Sequence, residues 1–182
     1  MLVDVITYHL EITDQAALRP KPNPIEGLVI QQVERPSPEF NRFLYTAVGG
    51  DWYWVDRLSW NHRRWQEWVE RPEVQTWVAY VSGSPAGYFE LDGQADGSVE
   101  ITSFGLFPQY IGQGLGGHFL TVALEKGWQT GASRVWLHTC SLDHPTALFN
   151  YRARGMRVFR EVTAKEDLPD ITPGPWPGAR GG

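Results

Sequence analysis

Apolar and polar side chains alternate along Tyr8-His9-Leu10-Glu11-Ile12-Thr13, which predicts a short first strand. Asp14 to Pro24 carries three prolines and reads as a connector. Gly27–Glu34 is a second strand, closed by Pro36. Ser37 is placed to cap a helix from Pro38 to about Val48, in which Phe40, Phe43, Leu44 and Ala47 share one face. Gly49-Gly50 ends it. A second helix is predicted over Asn61 to about Glu70, with Trp65, Trp68 and Val69 on one face and Pro72 as its stop. Strands at Val74–Val81 and Ala86–Leu91 follow, joined by Ser82-Gly83-Ser84-Pro85. Val99, Ile101, Phe104, Leu106 and Phe107 form the next strand, with imperfect alternation, and Pro108 ends the run. Helical spacing then resumes at Phe119, Val122 and Ala123, and the helix runs to about Gln129, closed by Gly131. Arg134–Thr139 is a strand core, Asp143 is placed to cap a helix over His144–Ala153, and Met156–Val162 is the last strand. This order of elements predicts a mixed α/β fold with a mostly antiparallel central sheet flanked by helices.

The 182 residues fit one domain, assigned to 1–164, with a core of ordinary size; 42% hydrophobic and 20% charged content are usual for a globular chain. Residues 165–182 hold four prolines, four glycines and little apolar content, so a poorly ordered tail is expected there. No apolar run has the length of a membrane span, and the first residues lack a basic-then-apolar leader, so no membrane partner and a cytoplasmic location are expected. A net charge of −5 argues against a nucleic-acid surface. Cys140 is the single cysteine, so no internal disulfide forms, which fits a reducing compartment. Of nine tryptophans, five crowd between Asp51 and Val69, which marks that stretch for closer reading.

Between strand and helix, Gly112, Gly114, Gly116 and Gly117 crowd the backbone. Glycines there permit positive φ and close approach of a ligand, and an opening helix presents free N–H groups to an anion. No Lys-Ser or Lys-Thr follows, which excludes a Walker loop, and the spacing is wrong for a dinucleotide fingerprint. A tight turn without a ligand and a phosphate cradle both remain open on these residues alone.

Ile111-Gly112-Gln113-Gly114-Leu115-Gly116, entered from Leu106-Phe107-Pro108, resembles the acyl-CoA pyrophosphate loop of the GNAT superfamily of N-acetyltransferases. Downstream, His144-Pro145-Thr146-Ala147, Tyr151 and Gly155-Met156 resemble that superfamily's Asn-x-x-Ala, Tyr and Gly-Phe series at matching spacing. The element order from Gly27 to Val162 matches as well. Two departures stand out. Ile111 occupies the position of a Gln or Arg in the frame ending at Gly116, whereas the frame from Gln109 to Gly114 fits literally but lies two residues early. His144 replaces the usual Asn and Met156 the usual Phe.

The resemblance implies a GNAT-like fold and transfer of an acetyl group from acetyl-CoA to a primary amine, foremost of a small molecule and secondarily of a protein. Cofactor contacts would fall to Leu106, Phe107, Gly112, Gln113, Gly114, Leu115, Gly116, Gly117 and His144. Glu100 matches the position of a general base, with Glu90 on the preceding strand as alternative, and Tyr151 that of the acid for the departing thiolate. Backbone N–H groups around Phe104–Leu106 would polarise the thioester carbonyl. The region of the first two helices borders the acceptor in relatives. Trp52, Tyr53 and Trp54, with Trp60, Asp51 and Asp56, offer aromatic faces and carboxylates that suit an amine there. Core packing or a homodimer contact is the other use for those rings. His138, Cys140 and His144 give at most three metal ligands, so no metal is expected. Cys140 lacks an evident base, and His118 reads as a surface or capping side chain. An acyl-CoA-binding sensor or interaction module without turnover is the alternative to an enzyme.

Overall fold

A computed structural model describes residues 1–180. One seven-stranded sheet runs through the molecule in the order β2-β3-β4-β5-β6-β1-β7. The strands are β1 (Leu2–Ile12), β2 (Leu28–Gln32), β3 (Val74–Val81), β4 (Ser84–Gly93), β5 (Ser98–Leu106), β6 (Arg134–Cys140) and β7 (Arg157–Asp167). The helices are α1 (Pro38–Gly49), α2 (His62–Val69), α3 (Leu115–Gln129) and α4 (Ala147–Ala153). All neighbouring strands are antiparallel except β5 and β6. The mixed, mostly antiparallel sheet with flanking helices is as the sequence pattern predicts.

Alternating side chains of the central strands feed two cores. Phe89, Leu91, Val99 and Ile101 face α3, where Phe119, Leu120, Ala123 and Leu124 are completely buried. Burying each of the Phe and Leu side chains contributes about 1.5–3 kcal/mol. Val78 and Tyr88 face the other way, onto Leu44 and Val48 of α1. The irregular alternation of β5 has a mechanical cause. A bulge places Ile101 opposite Leu91 and Ser103 opposite Glu90, so Thr102 is the extra residue. Val99 and Ile101 before it therefore share a face with Phe104 and Leu106 after it.

Several boundaries differ from the sequence reading. β1 starts at Leu2, six residues before the alternating stretch, because Leu2–Thr7 already pair with β7; the register shift opposite His9 and Leu10 is a bulge in β7, where Phe159 is the extra residue. Val5 is buried on one face of β1, Leu10 and Ile12 on the other. Asp143 does not cap α4. Its Oδ2 accepts from Thr139 Oγ1 at 2.6 Å and from the Cys140 N–H at 3.0 Å, turning the chain out of β6, and α4 begins only at Ala147. β4 takes in Ser84 and Pro85, leaving a two-residue turn with positive φ at Ser82 and Gly83, the hairpin geometry that matches strand twist.

The tail set apart after residue 164 does not separate there. β7 continues through Lys165 and Glu166 to Asp167, paired with Leu2–Asp4. Leu168 is buried, the Gly174 N–H donates to the Gly50 carbonyl at 2.9 Å, and Arg180 forms a two-point ion pair with Asp51 at 2.7 and 2.5 Å. Its final contacts are thus made with the loop that carries the clustered aromatics.

Candidate active site

Parallel pairing of β5 with β6 covers only Ser98–Arg134, Val99–Val135 and Glu100–Trp136. Beyond Glu100 the two strands part, and β5 continues hydrogen-bonded to β4 alone as far as Leu106. One backbone edge of Ile101–Leu106 therefore faces the gap. An extended ligand laid in that gap meets main-chain N–H and C=O groups, as in strand addition.

The gap opens toward the glycine loop. A 3-10 turn over Pro108–Tyr110 leads to Gly112 at φ +84° and Gly114 at φ +80°. Gly114 occupies the N-cap of α3, no side chain caps that helix, and the first-turn N–H groups are left for an outside acceptor. Gln113 bends back and donates to the Gln109 carbonyl. The Gly116 carbonyl accepts from Asn150 Nδ2 at 3.1 Å, tying the loop to α4.

Two cations converge on this helix start. A Cβ built on Gly117 would lie 2.5 Å from Arg154 Nη1 and 2.6 Å from Lys21 Cδ, and one on Gly114 would lie 3.9 Å from Lys21 Nζ. Lys21 is fixed through its backbone: its N–H donates to Thr121 Oγ1 at 3.0 Å, and its carbonyl accepts from His118 Nδ1 at 2.9 Å. Neither cation has a carboxylate partner among the described residues. The sequence reading missed both. Arg154 was within reach, being one helical turn beyond Tyr151. Lys21 gave no signal, since it lies in the proline-rich connector and reaches α3 only through the fold.

Where β5 and β6 part, Glu100 Oε1 lies 3.4 Å from His138 Nδ1, with side chains 16% and 51% exposed. The Glu100 carboxylate beside it, opposed by burial, raises the His138 pKa above its ordinary value. Glu90 is placed differently. Its Oε1 accepts from Arg57 Nη1 at 2.8 Å, Trp68 Nε1 at 3.0 Å and Thr102 Oγ1 at 2.7 Å, and the side chain is 1% exposed. On the other side of β5, Tyr151 packs edge-on against Phe104, ring centroids 6.0 Å apart. Its hydroxyl has no hydrogen-bond partner among the described residues, and burial, reinforced by Asp143 and Cys140, pushes its pKa far above the ordinary phenol value. Phe107 is buried, its N–H donating to the Ala86 carbonyl, while Leu106 lies beside Gly116.

The aromatic loop folds over toward the end of β6. Trp54 Nε1 donates to Asp143 Oδ1 at 3.3 Å, and Trp52 meets the His144 ring edge-on at 5.1 Å. His144 is thereby placed beside the proposed acceptor segment, with its Nδ1 within 2.9 Å of Thr146 Oγ1. Tyr53 holds φ +56°, a strained value for a bulky residue. Trp60 belongs elsewhere: it meets Trp65 and Trp68 at steep ring angles beside the Arg57 guanidinium, packed against the α2 core. Burial raises the Cys140 thiol pKa, with Asp143 adding to the effect, which is the opposite of an activated nucleophile. No cluster of three or more His, Cys, Asp or Glu arranged to hold a metal occurs among the described residues. No helix among them is long and apolar enough to cross a membrane. A separate depression of about 470 Å³, bordered by Arg71, Gln94 and Thr130, lies at the Ser98 end of β5, away from the glycine loop.

Comparison with known proteins gives a consistent result. Residues 41–156 match the model of the Acetyltransferase (GNAT) family. A mycothiol acetyltransferase of Corynebacterium aurimucosum is 28% identical over 183 residues, covering 87% of this chain and 59% of that protein. A GCN5-related N-acetyltransferase from Sphaerobacter thermophilus superposes with TM-score 0.66 at 22% identity, over 92% of this chain and 53% of the other. One from Kribbella flavida gives TM-score 0.65 at 20% identity, over 92% and 61%. The chain thus spans little more than half the length of these relatives. With the family model covering the splayed strands, the glycine loop and α4, the chain belongs to the GNAT acetyltransferase family.

Proposed function

We propose that this chain moves an acetyl group from acetyl-CoA to the primary amine of a small molecule by direct transfer. The observation that carries the reading is the free edge of β5, which leads from Glu100 to an uncapped glycine helix start flanked by Lys21 and Arg154. That combination fits a long, polyanionic thioester. Gly112–Gly117 would hold the pyrophosphate through main-chain N–H groups, with Lys21 and Arg154 supplying the positive charge that Ile111 does not. Leu106 and Phe107 would border the chain leading from it. When bound, acetyl-CoA supplies an electrophilic carbonyl and a thiolate leaving group.

Glu100, under-coordinated at the mouth of the gap, is the base that takes the proton from the acceptor's ammonium. Glu90, the alternative base, is the poorer candidate because three donors already hold its Oε1. The unpartnered Tyr151 hydroxyl donates to the departing sulfur. Burial holds this phenol protonated, and the same dry surroundings raise the proton affinity of the thiolate, so donor and acceptor stay matched. Trp52, Tyr53 and Trp54 would form the aromatic side of the acceptor pocket, with His144 beside Trp52.

A small-molecule acceptor is also what the name of the mycothiol acetyltransferase suggests by likeness. The test is a panel of primary amines (glucosamine, L-cysteine, 1,4-diaminobutane, phenethylamine and a lysine peptide) with acetyl-CoA, following thiol release. Turnover with a panel amine supports the reading. Tight acetyl-CoA binding with no thiol release from any of them would favour a binding module.

A further inference from the structure

Three titratable side chains stand in a row on adjacent strands at the point where β5 and β6 part. Glu100 on β5 contacts His138 on β6 at 3.4 Å through Nδ1. His138 pairs directly across from His9 on β1, their rings 5.9 Å apart. Exposure rises outward from 16% for the Glu100 side chain to 51% for that of His138. His138 Nε2 has no partner among the described residues, so it is left for water.

We infer that His138 is the relay through which Glu100 returns the acceptor's proton to solvent. The inference rests on the proposed role of Glu100 as base. A carboxylate that is mostly buried and takes a proton each turnover must lose it again before the next. Neutral His138 accepts that proton at Nδ1 from the protonated Glu100 and releases another from Nε2 to water; no bond other than N–H and O–H changes. The charged groups facing His138 bias the relay in one direction. Glu100 from β5, Asp143 from the loop after β6 and Asp56 from the loop before α2 all favour the imidazolium, drawing the proton off Glu100. On β1, burial lowers the His9 pKa, with His138 and then Arg160 on β7 adding to the effect. Glu90, by contrast, carries Arg57, Trp68 and Thr102 on its Oε1 and pairs with no imidazole among the described residues. His138 is a positioning and relay group, since it acts through Glu100 and needs no contact with the substrate.

The test combines an acceptor-free and a kinetic measurement. An NMR titration of the His138 imidazole in the full chain should show a pKa above the ordinary value, falling toward it in Glu100→Gln as the partner charge is lost. Kinetics use the panel amine of highest turnover. His138→Gln should lower kcat about tenfold and leave acetyl-CoA KM unchanged. It should also move the acid limb of kcat/KM toward lower pH, and imidazole should restore part of the rate in His138→Ala. His138→Asn serves if the Gln variant does not fold. A wild-type rate and pH profile in both His138 variants would overturn the relay. If Glu100→Gln is impaired while they are not, the base survives and only the relay fails; if Glu100→Gln is itself fully active, the base assignment fails first. An imidazole titration indifferent to Glu100→Gln would show the pair uncoupled and sink the relay as well.

Discussion

Glu90 and Glu100 sit on neighbouring antiparallel strands, and only one of them is held. Arg57, Trp68 and Thr102 all donate to the same Glu90 oxygen, and the Arg57 guanidinium is in turn enclosed by Tyr45, Trp60, Trp65 and Trp68 at 4.6–5.9 Å from the ring centroids. Glu100 has one imidazole at 3.4 Å and an open strand edge beside it. The difference teaches how one sheet uses the same side chain twice. A carboxylate surrounded by fixed donors locks packing, because its charge is already answered. A partly buried carboxylate with one titratable neighbour keeps the capacity to accept a proton.

The contrast can be broken by mutation. Arg57→Ala should have the largest effect, leaving Glu90 buried without its cation and costing about 3–5 kcal/mol in urea unfolding. The double variant Arg57→Met/Glu90→Gln should recover part of that loss. Glu100→Gln should do the reverse: unfolding within about 0.5 kcal/mol of wild type, and kcat lower by roughly 10²–10⁴ with the panel amine. Equal destabilisation by both changes would erase the distinction between the two carboxylates. Tyr151→Phe removes only the unpartnered hydroxyl, so stability should hold while kcat falls by about 10². Unchanged kcat would assign Tyr151 to packing against Phe104. At the glycine loop, Arg154→Ala should weaken acetyl-CoA binding by about tenfold and Lys21→Ala by somewhat less, measured by calorimetry. Both losses should shrink as salt rises, and an indifference to salt would detach the two cations from the phosphates.

What could be read in the sequence follows a physical division. Helix α1 and its Ser37 cap were legible because capping is local; Ser37 Oγ does accept from the Phe40 N–H, at 3.2 Å. The glycine turn was legible because positive φ at Gly112 and Gly114 demands that residue type. The bulge at Thr102 hid the parity of β5, since an extra residue shifts every side chain after it to the other face. Trp60 and Trp54 could not be told apart by type. One rests on Arg57 and the other reaches Asp143, partners 3 and 89 residues away in the chain. His138 was read only as a doubtful metal ligand, because its neighbour Glu100 is supplied by another strand. Lys21 was silent for the same reason: its place at α3 depends on a contact with Thr121, 100 residues downstream.

The position of β1 between β6 and β7 carries a consequence for assembly. Its register partners run from Val135–Cys140 on one side and Arg157–Asp167 on the other. Strands β2 to β5 can pair as hairpins and local neighbours while the chain is still being made, but β1 has no sheet to join until β6 and β7 exist. At ordinary translation speeds of roughly 5–20 residues per second, it waits on the order of 10 s. Until then its apolar stretch needs shielding, and β6 and β7 on emerging would otherwise present two open edges. Closing the sheet this way depends on contacts distant in sequence, the kind that slow folding. β1 is therefore made before both of the strands it pairs with, and it locks β6, the strand that carries His138, from the side away from the gap.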